Sequence, residues 1–205
     1  MSGSPPTTPP APWCGAAFHR RDKVPPVEVR AIRPAEYREA GAIVVAAYRA
    51  LPGAHLSNGY ARDLADIGQR AAEAEVLVAV DGRVLGCVTF VPDAASPWAE
   101  MLEGNEAAIR MLGVDPAVQK RGTGRALLEA CLDRARDLGR DALFLHSTPW
   151  MEAAHRLYAT AGFVRVPGRD WLPAPEVPLL AFRCDLSGRH EAPGPRTARG
   201  RPRRQ

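Results

Sequence analysis

Gly122 and Gly124 bracket Thr123, and Gln119, Lys120, Arg121 and Arg125 surround them with donors and positive charge. This run follows an apolar segment ending at Val114 and opens the most regular amphipathic stretch of the chain. Glycine lets the backbone take positive φ and lets a bulky anion approach without meeting a Cβ. The first turn of a helix presents unpaired N–H groups and a partial positive charge. The pattern therefore predicts an anion site over residues 119–125 that suits a pyrophosphate. Two other phosphate patterns fit less well. A Walker loop continues Gly-Lys-Ser/Thr, whereas Gly124 is followed by Arg125. The dinucleotide fingerprint requires a third Gly or Ala, and that position is Leu127. The plain alternative is a tight strand-to-helix turn with no ligand.

The elements around this loop are readable from periodicity. Residues 27–33 alternate and stop at Pro34, which reads as a strand. Residues 35–50 are apolar at near-helical spacing and close at Pro52-Gly53. Ser57 or Asn58 can cap a second helix running to about Ala72. Residues 75–80 and 83–91, joined by Asp81-Gly82, form a hairpin signal. Residues 106–114 read as a long strand ended by Asp115-Pro116, and residues 123–138 as a helix closed by Gly139. Residues 141–146 read as a strand. Thr148 with Pro149 can start a helix that stops at Gly162. Residues 163–166 and 177–185 read as final strands. The order β, α, α, β-hairpin, β, α, β, α, β, β is that of an α+β or mixed α/β sheet with helices packed on it.

The 205 residues suit one domain. Residues 1–26 hold seven prolines, and residues 187–205 hold three prolines and six arginines against Glu191. Both ends read as disordered tails, Pro-rich and Arg-rich respectively, around a domain at 27–186. The tails carry the basic charge, which leaves the middle net acidic although the whole chain is formally +4. No aromatic residues interleave the tail arginines, which argues against a nucleic-acid partner. The cysteines Cys14, Cys87, Cys131 and Cys184 form no C-x-x-C pair, so no zinc or other metal site is expected. No apolar h-region opens the chain and no long apolar run follows, so the expectation is a cytoplasmic protein without a membrane partner.

Residues 110–128, with Gln119-x-x-Gly122-x-Gly124, resemble the acetyl-CoA-binding segment of the GNAT superfamily of N-acetyltransferases. Residues 152–163, with Ala154-x-x-Leu157-Tyr158 and then Gly162-Phe163, resemble that superfamily's second signature. The resemblance covers about residues 27–186. It implies the acyl-CoA N-acyltransferase-like fold, a central mixed sheet whose two parallel strands, 106–114 and 142–146, splay apart with helices on both sides. It implies acetyl-CoA as acyl donor, its pantetheine arm on Leu112, Gly113 and Val114. The pyrophosphate would lie on Gln119, Lys120, Arg121, Gly122, Thr123, Gly124 and Arg125. Tyr158 matches the tyrosine that acts as general acid toward the leaving thiolate; a phenol, with a pKa of about 10, is protonated at neutral pH.

Two departures stand out. Met151 occupies a position where an asparagine often helps hold the coenzyme, and Ala108 one where a carboxylate base often stands. Glu106, two residues earlier on the same strand face, is the candidate base, directly or through water, or else a solvated carboxylate. N–H groups near Leu112 and Val114 would stabilise the oxyanion.

The acceptor pocket is expected from residues 51–66, 92–105 and 166–176. These supply Asp63, Asp66, Asp93, Glu100, Glu103 and Asp170 with Tyr60, Trp98 and Trp171, a rim suited to a cationic small-molecule amine. His55 and His146 could help deprotonate that amine. A protein or peptide acceptor, a non-catalytic acyl-CoA sensor and a homodimer are all compatible with the same residues.

Overall fold

The computed structural model describes residues 27–53, 56–174 and 177–186. The two tails, Cys14 and His55 lie outside the described residues. Seven strands form one sheet in the order β1-β2-β3-β4-β5-β7-β6. They are β1 (Glu28–Ala31), β2 (Glu75–Asp81), β3 (Arg83–Val91), β4 (Glu106–Val114), β5 (Ala142–Ser147), β6 (Val164–Arg165) and β7 (Leu180–Asp185). The helices are α1 (Tyr37–Arg49), α2 (Asn58–Ala65), α3 (Ile67–Glu73), α4 (Thr123–Asp137) and α5 (Glu152–Thr160).

Period-two alternation assigns the strands to two cores. On β2, Val76 and Val78 join Val44, Leu64 and Ile67 of α1, α2 and α3. Leu77 and Ala79 face the other way, with the α4 stripe of Leu127, Leu128, Cys131, Leu132 and Ala135. Burial of each leucine in that stripe contributes about 1.5–3 kcal/mol. α4 stops where Gly139 takes φ +65, and the Arg140 N–H reaches back to the Ala135 carbonyl, closing the last turn.

The long second helix expected after Ser57 is instead two helices. Ser57 caps α2 through the Tyr60 N–H, but Asp66 leaves helical geometry and caps α3, its carboxylate accepting from the Gln69 N–H at 2.9 Å. An aspartate that finds a main-chain N–H locally competes with helix continuation. The expected Thr148 cap is also corrected. α5 starts at Glu152, its cap position is Met151, and no side chain caps it.

Among the described residues β4 and β5 are the only parallel neighbours, and they pair only over Glu106↔Ala142, Ala107↔Leu143 and Ala108↔Phe144. Beyond Ala108 they separate. β5 leaves to pair with β7 along its whole length, while β4 stays with β3 as far as Val114. The splay expected from the resemblance is therefore present, and it opens toward the C-terminal ends of both strands.

Candidate active site

The β4 side of the opening is shaped by a bulge. Cys87 of β3 pairs with Gly113 but Thr89 pairs with Arg110, so two steps of β3 face three of β4. Met111 absorbs the extra residue with φ +52. The bulge inverts the strand's parity. Ala107 and Ile109 face the α4 core, Met111 turns to the opposite core, and Leu112 and Val114 return to the α4 side. Arg70 holds the displaced residue: its guanidinium is fully buried, contacts the Met111 sulfur at 3.0 Å and donates to the main-chain oxygens of Asp63 and Leu64 at the end of α2. Past Ala108, β4 therefore has one edge without a strand partner among the described residues and a bulge that redirects main-chain groups at Met111 and Leu112.

The loop that follows turns sharply into α4. Lys120 and Gly122 both adopt left-handed backbone, φ +66 and +86. None of the N–H groups of Gly122, Thr123 and Gly124 donates a hydrogen bond among the described residues. No side chain caps α4 and no acidic residue stands in its first turn. Turns that alternate left- and right-handed residues make concave donors for anions. Gln119, Lys120, Arg121 and Gly122 are exposed around the notch, and Thr123 is buried with its hydroxyl unpartnered among the described residues. Arg125 is exposed but bonds Glu129 at 2.7 Å, which draws its charge along the helix. A Cβ on Gly124 would sit 3.5 Å from Val114 Cγ2 and 3.6 Å from Leu157 Cδ2. Gly124 thus lies on the path between β4 and α5, with Leu112 and Val114 lining it. These residues fit a pyrophosphate with an extended arm running toward the splay.

The opening itself is lined by Ala108 to Met111 of β4 and by Phe144 to Ser147 of β5, with Thr148 and Met151 beyond. Tyr48, Tyr60, Trp98 and Trp171 wall its outer side. Its volume is about 90 Å³. All three segments expected to form the acceptor pocket reach it. The expected acidic rim does not form. Of the six carboxylates named, only Glu100 lines the opening, and Arg110 neutralises it at 2.8 Å while lying over the Trp98 ring. Asp93 pairs with Arg140 and Asp170 with Arg165, Asp66 caps α3, Glu103 approaches Arg169 at 3.4 Å, and Asp63 is exposed.

Tyr158 is buried beside the opening and not on its wall. Its ring packs against Phe163 and Phe182. Burial pushes the phenol up to about 12, so it is firmly protonated at neutral pH and can serve as an acid but not as a base.

Glu106 is not placed as a base. It lies at the paired end of β4, away from the opening, and is buried. Its carboxylate takes two bonds from Arg169, at 3.0 and 2.9 Å, one from Arg183 at 2.8 Å and one from the Glu103 N–H at 3.1 Å. Burial alone would raise its pKa. The bonds from Arg169, Arg183 and the Glu103 N–H, with the Arg169 charge, outweigh that and hold it below the usual carboxylate range. A carboxylate so fully engaged is an anchor. Arg169, which lies in the segment 166–176 that the sequence suggested as a substrate-side loop, is the residue it anchors. His146 lies on the opening's wall. Cys87 and Cys131 are buried core thiols whose pKa values burial raises. Among the described residues no cluster of His, Cys, Asp and Glu could hold a metal, and no helix is long and apolar enough to cross a membrane.

Among the described residues the sheet splits between its one parallel pair, and a bulged strand leads from the split to a glycine notch, the acyl-CoA N-acyltransferase-like fold. The description of the acetyltransferase (GNAT) family matches residues 42–163, and the chain belongs to that family. A mycothiol acetyltransferase of Sanguibacter keddieii is 33% identical over 147 residues, which is 69% of this chain and 44% of that protein. One from Beutenbergia cavernae is 39% identical over 72 residues, 35% of this chain and 24% of that protein. The chain thus spans less than half the length of these curated relatives. Among solved structures, the PaiA N-acetyltransferase of Thermoplasma acidophilum in complex with coenzyme A aligns with TM-score 0.61 at 11% identity. That alignment covers 78% of this chain and 99% of that one, a likeness of fold.

Proposed function

We propose that this protein transfers the acetyl group of acetyl-CoA to a primary amine of a small molecule, by direct attack within a ternary complex. The observation that carries this is the continuity of the site. N–H groups at Gly122, Thr123 and Gly124, unpaired among the described residues, lead, past Gly124 and Leu157, to an opening between β4 and β5. In this reading Gln119, Lys120, Arg121, Gly122, Thr123 and Gly124, with Arg125 nearby, hold the pyrophosphate. Leu112, Gly113 and Val114 hold the pantetheine arm. The main-chain N–H groups at the bulge face the thioester oxygen as it gains charge. Tyr158 donates to the departing sulfur. The small pocket and the wall of Tyr60, Trp98 and Trp171 favour a small amine over a folded polypeptide, as does the small-molecule name of the curated relatives.

The test is thiol release from acetyl-CoA against a panel of linear diamines, α-amino acids, arylalkylamines, aminosugars and mycothiol-related compounds. Turnover with a defined small amine is expected. Tight acetyl-CoA binding with no release on any small amine, but acetylation of peptides, would move the acceptor to the protein class.

A further inference from the structure

His146 stands near the end of β5, on the wall of the opening. Its Nε2 lies 3.0 Å from the main-chain oxygen of Arg169. A carbonyl oxygen can only accept, so Nε2 carries the hydrogen, and in the neutral ring Nδ1 is then a bare acceptor. Nδ1 has no hydrogen-bond partner among the described residues. The ring is held edge-on by Phe144 at 4.9 Å and flanked by Trp171 at 6.0 Å. The carbonyl that fixes the tautomer is itself fixed. The Arg169 guanidinium stacks on Phe144 at 3.8 Å, donates to the Met101 oxygen and is clamped by both oxygens of Glu106.

The charged and titratable groups around the ring come from every neighbouring element. They are Arg110 of β4 with its partner Glu100, the phenols of Tyr48 and Tyr60, and Arg169 and Asp170 after β6. Burial disfavours the imidazolium most. The Arg169 carbonyl favours it, Arg110 and Arg169 oppose it by charge, and Asp170 favours it. The balance lies below the ordinary histidine value, so the ring is neutral at pH 7.

We propose that Nδ1 of His146 is the base that takes the proton from the acceptor nitrogen, and that the Glu106–Arg169 ion pair is the positioning device that presents it. This rests on the transfer reading above. As the nitrogen of the neutral amine bonds to the thioester carbon, one N–H proton passes to Nδ1. The C–S bonding pair leaves on sulfur, which takes the phenolic proton of Tyr158. The proton on His146 then returns through water to the phenolate. The sum is amine plus thioester giving amide plus thiol, with no proton gained or lost. The carboxylate that the strand pattern offered as a base thus acts two steps away, through Arg169.

The experiment measures kcat/KM against pH for the wild type and His146→Gln, using acetyl-CoA and the fastest amine of the panel. Imidazole ¹⁵N spectra of the free protein accompany it. The wild type is expected to lose activity on the acid side with an apparent pKa below about 6.5. His146→Gln is expected to bind acetyl-CoA as before, to lose kcat/KM by roughly 10²–10⁴-fold and to lose the acid limb. The spectrum is expected to show the proton on Nε2, and Glu106→Gln to shift it partly to Nδ1. A His146→Gln rate within about threefold of wild type, or an unchanged acid limb, overturns the base assignment while leaving the transfer reading intact. A proton found on Nδ1 overturns it independently of any turnover. A wild type that binds acetyl-CoA yet releases thiol with no amine overturns the transfer reading, and the base with it.

Discussion

Replacing Glu106 by glutamine separates an anchor from a base. The substitution keeps the shape but removes the charge that Arg169 and Arg183 share, and it turns an NH2 group toward donors that already fill the site. The Glu106 side chain is 6% exposed and that of Arg169 10%, so little water can replace the lost counter-ion. Removing one member of a buried pair costs about 3–5 kcal/mol. Arg183, at 28% exposed, keeps solvent and Asp185 as alternatives, which puts the expectation at the lower end, about 3 kcal/mol. At roughly 2–4 °C per kcal/mol for a chain of this size, Tm falls by about 6–12 °C. With m near 2 kcal/mol/M, the urea midpoint falls by about 1.5 M.

The pH dependence follows from the sign of the shift. The folded pKa of Glu106 lies below its unfolded value. The stability it adds is therefore present above about pH 4.3 and is lost as pH falls through the lowered folded value. The variant lacks that step. Calorimetry and urea unfolding at pH 7 and at pH 3–4 measure both effects. A variant that melts within about 1 °C of wild type while kcat/KM collapses would refute the anchor and restore Glu106 as a base.

Other outcomes follow from the same geometry. Gly124→Glu directs a carboxylate into the groove beside Val114 and Leu157; acetyl-CoA affinity measured by calorimetry should fall at least about 100-fold, near 2.7 kcal/mol. Tyr158→Phe should lower kcat by roughly 10²-fold or more with the acetyl-CoA KM unchanged. Because no hydrogen bond from that phenol is made among the described residues, Tm should stay within about 2 °C of wild type. Arg70→Met leaves the carbonyls of Asp63 and Leu64 without their donor; a loss of about 1–3 kcal/mol and faster hydrogen exchange in α2 are expected.

Local chemistry made much of this molecule legible. Asp81-Gly82 marked the β2–β3 turn, Asp115-Pro116 the end of β4, and Gly122-x-Gly124 the start of α4, because each requirement lies in adjacent residues. What stayed hidden depends on residues far apart in sequence. Glu106 and Arg169 are 63 positions apart, and no periodicity in either segment links them. Met111 takes left-handed backbone although methionine carries no signal for it; the bulge is imposed by the pairing of β3 and β4 and by Arg70 beneath. The break at Asp66 was missed because apolar spacing continues across it while a side-chain cap interrupts the ladder. His146 was legible as a histidine that could help deprotonate an amine, but not which ring nitrogen would do so, since its tautomer is set by a carbonyl from another loop.

The most direct measurement is a crystal structure of the protein soaked with acetyl-CoA. The account predicts the pyrophosphate on the N–H groups of Gly122, Thr123 and Gly124, and the thioester between β4 and β5 within reach of Tyr158 and His146. Coenzyme bound elsewhere, with that notch filled by the protein's own side chains, would contradict it.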